Sequence, residues 1–68
     1  MKATAAEWTK QSTHPLEYRA TLRGAVLILR ALKDDPIWNA VVYRDTRPVS
    51  ATRHYSYHEA RAWAEGAA

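Results

Sequence analysis

The residues from Leu16 to Leu32 decide what this chain can become, because their apolar pattern pivots on Arg23-Gly24. Leu16, Tyr18, Ala20 and Leu22 alternate with Glu17, Arg19, Thr21 and Arg23, the period of a half-buried strand. If Arg23-Gly24 is a two-residue turn, Leu22 meets Ala25, Ala20 meets Leu27, Tyr18 meets Leu29 and Leu16 meets Ala31. Every inward residue of one strand then faces an inward residue of the next. A helix is the competing reading. Pro15 suits a first helical turn after Ser12 or Thr13, and Leu22, Ala25, Val26, Leu29 and Leu32 form a stripe at helical spacing. Gly24 would cost that helix about 1 kcal/mol relative to Ala. The hairpin accounts for Gly24 and for the alternation, the helix only for the stripe. The hairpin is therefore favoured, with an α-β-β-α chain as the alternative.

Downstream, Lys33-Asp34-Asp35-Pro36 reads as a turn, and Ile37 to Tyr43 as a strand rich in β-branched and aromatic residues. Asp45-Thr46-Arg47-Pro48 turns the chain again. Val49 to Tyr55 then alternates Val49 and Ala51 with Ser50, Thr52 and His54, and Pro48 fits the start of that strand. The end of the chain is punctuated as a helix. Ser56 is a natural N-cap, Glu59 stands three residues later as in a capping box, Tyr55 and Ala60 are spaced as a hydrophobic staple, and Gly66 suits the closing position. Ala60, Trp63, Ala64 and Ala67 share one side of this helix, and Arg61 and Glu65 form an i, i+4 pair. The expected fold is α+β: a small antiparallel sheet of about four strands packed on one C-terminal helix. Residues 1–68 form one domain, with 1–14 as an N-terminal arm or an edge strand that leaves Trp8 unplaced.

In this arrangement the face under the helix holds Tyr18, Ala20, Leu22, Leu27, Leu29, Trp38, Ala40, Val42, Val49 and Ala51. The opposite face holds Arg19, Thr21, Arg23, Val26, Ile28, Arg30, Ile37, Asn39, Val41, Tyr43, Thr52 and His54. One helix cannot cover both faces. Val26, Ile28, Ile37 and Val41 are then an apolar patch rimmed by polar groups, the mark of an interaction surface. Folding of the Trp8 arm across it, or stacking with a second copy, would close it.

Composition narrows the chemistry. Sixty-eight residues support only a marginal core, so a partner or a homodimer is a natural expectation. The absence of cysteine removes disulfide frameworks, thiolate zinc sites and cysteine nucleophiles. No apolar run approaches the roughly 18 residues of a membrane span, and Met1 to Glu7 lacks the apolar centre of a signal peptide. The chain reads as cytoplasmic, with no membrane partner. Net charge is +3, and seven arginines against three lysines favour planar, bidentate recognition of phosphate or carboxylate, although a GC-rich coding sequence produces the same bias.

No motif dictates a reaction. His54, His58 and Glu59 resemble a metal set, but the two histidines leave from different elements. The hydroxyl and imidazoles of Arg53-His54-Tyr55-Ser56-Tyr57-His58 suggest a nucleophile and base, yet strand neighbours point to opposite faces and Ser56 is explained as a cap. Asp34-Asp35 beside Pro36 is a solvated loop. No catalytic residue, metal or cofactor is expected, and the chain reads as non-enzymatic. Trp38 and Trp63 are needed for a core that has no phenylalanine, so Tyr43 is the better stacking side chain. The candidate partner-binding residues are Arg19, Arg23, Arg30, Asn39, Tyr43, Arg44, Arg47 and Arg53. As a nucleic-acid module, the sheet would enter a groove with Asn39 reading bases and the arginines on phosphates.

The half from Ile37 onward resembles small accessory proteins of bacteriophages and prophages, in which a strand like Trp38-Asn39-Ala40-Val41-Val42 precedes a turn, a strand and a terminal helix like Glu59-Ala60-Arg61-Ala62-Trp63-Ala64-Glu65. The pattern is compositional, so no functional residue is carried over. The resemblance implies an inhibitor of host machinery in the bacterial cytoplasm, of the kind represented by anti-CRISPR proteins, docking on a host protein or protein–RNA complex. A DNA- or RNA-binding module is the alternative.

Overall fold

The hairpin reading is the one the chain adopts. A computed structural model describes residues 7–13, 15–31 and 37–68. Its elements are β1 (Thr9–Thr13), β2 (Leu16–Leu22), β3 (Ala25–Ala31), β4 (Trp38–Arg44), β5 (Arg47–His54) and α1 (Tyr57–Ala67). The strands form one antiparallel sheet in sequence order, with α1 packed on β3, β4 and β5. Leu22 pairs with Ala25, Ala20 with Leu27, Tyr18 with Leu29 and Leu16 with Ala31. Strand pairing throughout 16–31 overturns the α-β-β-α alternative. The expected Lys33-Asp34-Asp35-Pro36 turn lies outside the described residues, as do residues 1–6 of the arm.

The sheet has five strands rather than about four. The added strand, β1, is the polar segment Thr9-Lys10-Gln11-Ser12-Thr13, which pairs with β2 through a bulge between Lys10 and Ser12. A lysine and a bulge are the usual devices for blunting an edge. Trp8, just before it, packs against the core on the helix side instead of crossing the opposite face.

Leu27, Leu29 and Val42 are the largest fully buried side chains, and each contributes roughly 1.5–3 kcal/mol by leaving water. Ala60 and Ala64, one helical turn apart, are wholly buried with Ala40 and Ala25. These small residues bring the helix axis close to the sheet. Tyr18, Trp38 and Tyr57 close one end of this layer, with ring centroids 5.1–6.2 Å apart.

The helix starts where its cap predicts. Ser56 is extended, and its hydroxyl accepts from the Glu59 amide at 3.0 Å. Two details differ. Gly66 continues the helix, which runs to Ala67, and Tyr55 is 78% exposed while Ala60 is buried, so no staple forms.

The larger correction concerns β5. Arg44 pairs with Arg47 and Tyr43 with Pro48, but Val42 then pairs with Ser50 and Val41 with Ala51. Val49 is the extra residue of a bulge. Proline donates no N–H to a ladder and is tolerated at bulges and edges, and β5 is an edge. A one-residue slip turns the rest of a strand over. Thr52 and His54, expected on the open face, lie on the helix side opposite Ala40 and Trp38, with the His54 ring 6.4 Å from Trp63. Val49 and Ala51, expected in the core, are exposed.

Candidate functional site

Strand register sorts the face away from the helix into rows. Thr9, Arg19, Ile28, Val41 and Ala51 form one row, and Ser12, Glu17, Arg30, Asn39 and Arg53 another. The third row runs Thr21, Val26, Tyr43 and Pro48. The apolar members fall together on β3, β4 and β5. Val26, Ile28, Val41 and Tyr43 are half-buried, since a sheet face shields the base of each side chain and leaves its tip to solvent. Val26, Ile28 and Tyr43 line a shallow depression of about 470 Å³ bounded by Arg19, Arg30, Gly24, Asp45 and Thr46, and Ile28 and Tyr43 line a second of about 180 Å³ with Val41, Asn39 and Arg30. Ile37, expected in the same patch, is half-buried just before β4.

Of the eight residues expected to bind a partner, five share this face: Arg19, Arg30, Asn39, Tyr43 and Arg53. The other three do not. Arg23 stands in the β2–β3 turn and donates from Nη1 to the Glu65 carbonyl of the helix at 3.4 Å. Arg44 donates from Nη1 to the Arg23 carbonyl at 3.1 Å, and Arg47 pairs opposite Arg44. These three gather at the hairpin end on the helix side.

Glu17 is the site residue that sequence reasoning passed over. Its side chain is only 12% exposed; Oε1 accepts from Arg30 Nε at 3.1 Å and Nη2 at 2.8 Å, while Oε2 lies 3.7 Å from Arg19. The signal was present in the hairpin register, since pairing Leu16 with Ala31 places Glu17 opposite Arg30. Opposite charges directly across a ladder are a favourable pair. Here the pair also orients two guanidiniums and halves their free positive charge. Ala51 was missed for a different reason, the bulge at Val49.

Chemically, the face offers an apolar centre with one aromatic ring, an amide, and three guanidiniums at its margin. Aromatic and arginine anchors are what protein interfaces use at their energetic centres. Among the described residues, no helix is long and apolar enough to cross a membrane. Comparison of the chain with protein-family models, curated proteins and solved structures finds no match.

Proposed function

We propose that this chain is a small non-enzymatic binding protein that docks on a host protein or protein–RNA assembly through the open face of its sheet and inhibits it. The observation that supports this reading is the continuous patch of Val26, Ile28, Val41 and Tyr43, which neither the helix nor Trp8 covers, with Arg19, Arg30 and Arg53 around it. An apolar centre with a polar rim is the anatomy of a protein interface. The likeness of Trp38–Val42 and Glu59–Glu65 to small phage proteins directs the proposal toward host-defence machinery of the CRISPR type. Glu17 weighs against this face as a reader of free nucleic acid, because its carboxylate occupies the space between Arg19 and Arg30 that a phosphate would take.

The test is relief of CRISPR interference in a bacterial host that expresses the chain, together with recovery of the effector complex on the tagged protein. Tyr43→Ala and Arg53→Glu should abolish both while leaving the melting temperature within a few degrees of the parent. Light scattering should give the mass of a monomer. A tight dimer, or full activity in both variants, overturns the assignment of this face.

A further inference from the structure

We propose that the hairpin end of the molecule, where Arg23, Arg44 and Arg47 come together on the helix side, binds the phosphodiester backbone of nucleic acid. Its three arginines lie away from the open face, although Gly24, Asp45 and Thr46 of the same turns also border the depression there, and the proposal does not depend on docking in that depression.

Three observations meet at this end. Arg44 and Arg47 are both exposed and lie directly opposite each other in the β4–β5 ladder. Like charges so placed destabilise a sheet, and among the described residues no carboxylate forms a salt bridge with either, or with Arg23. The turn between them is costly as well. Asp45 and Thr46 have φ of 53° and 64°, whereas the neighbouring turn places Gly24 at the second of these positions, with φ of 79°. A β-branched residue in the left-handed region is strained. Two broken local rules side by side are characteristic of functional sites. Finally, two of the three guanidiniums are held in place. Arg44 is bonded to the Arg23 carbonyl and Arg23 to the Glu65 carbonyl, which ties both turns to the last turn of the helix.

The ligand class follows from what the surface lacks. Arg23, Gly24, Arg44, Asp45, Thr46 and Arg47 are all exposed, and none supplies the apolar or aromatic anchor that a protein interface needs. Phosphate contacts need only cations and hydrogen-bond donors. With Asp45 as the single carboxylate in the group, three cations face one anion. Guanidiniums on adjacent strands are close enough to hold one phosphate between them or to take successive ones.

The experiment is fluorescence anisotropy of short labelled duplex RNA, single-stranded RNA and duplex DNA against a salt series, with labelled polyglutamate as the competing ligand. Three arginines on phosphates predict a slope of log K on log salt of about −2 to −3 on a duplex. Arg44→Gln combined with Arg47→Gln should reduce that slope by about 2 and weaken binding about tenfold or more at low salt. Arg44→Lys with Arg47→Lys keeps the charge, so it should retain the slope and lose affinity several-fold; it also serves if the glutamine variant folds poorly. Tyr43→Ala should bind nucleic acid as the parent does, which separates this site from the open face. Whichever nucleic acid binds best identifies the source of the phosphates. Absence of salt-sensitive binding to any of the three, undiminished binding by the glutamine variant, or preference for polyglutamate would each overturn the proposal.

Discussion

Trp8 donates its indole N–H to the Glu65 carboxylate at 2.8 Å, joining residues 57 positions apart. The same carboxylate oxygen accepts from Arg61 Nε at 3.1 Å, and the Arg61 guanidinium carbon lies 5.9 Å from the centre of the Trp8 ring. Glu65 stands in the last turn of α1, where the carbonyl end of the helix disfavours a negative charge. The two donors offset that penalty, and they turn the chain just before β1 into a strap against the helix.

This relationship predicts a pH dependence. The hydrogen bond from Trp8, opposed by partial burial and reinforced by Arg61, holds the Glu65 carboxyl below its ordinary range. A depressed folded-state value contributes stability that is present above the unfolded carboxyl pKa of about 4.3 and is lost as pH falls through the folded value. Trp8→Phe should therefore cost about 1 kcal/mol at pH 7 and markedly less at pH 2, well below the unfolded carboxyl pKa, where protonation weakens the bond. Urea unfolding at the two pH values measures the difference. An equal loss at both would mean that Trp8 acts by packing alone.

The two tight turns should respond to substitution with opposite signs. Both have positive φ at each central residue: Arg23 and Gly24 in one, Asp45 and Thr46 in the other. A side chain on Gly24 meets nothing within 4 Å, so the cost of Gly24→Ala is purely one of backbone conformation, about 1 kcal/mol. Thr46→Gly converts the second turn to the favoured Asp-Gly pair and should stabilise the protein by about 0.5–1 kcal/mol. Thermal unfolding of both variants checks the pair, and a destabilising Thr46→Gly would mean that the threonine makes an interaction worth more than its strain.

Much of the architecture was legible because it is local. The alternation around Arg23-Gly24 sets the β2–β3 register residue for residue, and Ser56 with Glu59 sets the helix start. What was not legible came from single-residue events. Val49 looks like a core residue because it alternates correctly with Ala51, and nothing local announces that the ladder skips it; Pro48 is the sole hint. The resulting inversion moves His54 and Thr52 off the candidate site and brings Ala51 and Arg53 onto its face, beside Arg19, Arg30, Asn39 and Tyr43, whose strands keep the expected register. β1 stayed open between an arm and an edge strand because five polar residues carry no alternation.

The inversion can be tested by truncation. Val49 is 52% exposed whereas Val42 is wholly buried. Val49→Ala should change stability by less than about 0.5 kcal/mol, while Val42→Ala, which removes two methyl groups beneath the helix, should cost about 2 kcal/mol. Comparable losses from the two would restore Val49 to the core and remove the bulge.

Glu17 offers the sharpest test of how the open face recognises its partner. Because Arg19 and Arg30 are each about half exposed, their pairing with Glu17 adds little to stability, and Glu17→Gln should cost no more than about 1 kcal/mol. Its effect on binding should be larger and of a particular kind. Removing the carboxylate raises the positive potential of the face without touching Tyr43 or the aliphatic centre. Margin charges act mainly on encounter, whereas centrally buried anchors act on residence time. With the captured partner immobilised, Glu17→Gln should change the association rate several-fold at low salt, an effect that fades as salt is raised. Tyr43→Ala should instead speed dissociation at every salt concentration. If Glu17→Gln leaves association unchanged and accelerates dissociation, the carboxylate is itself a contact, or its hold on Arg30 is what shapes the bound face, and the apolar centre is not the sole anchor.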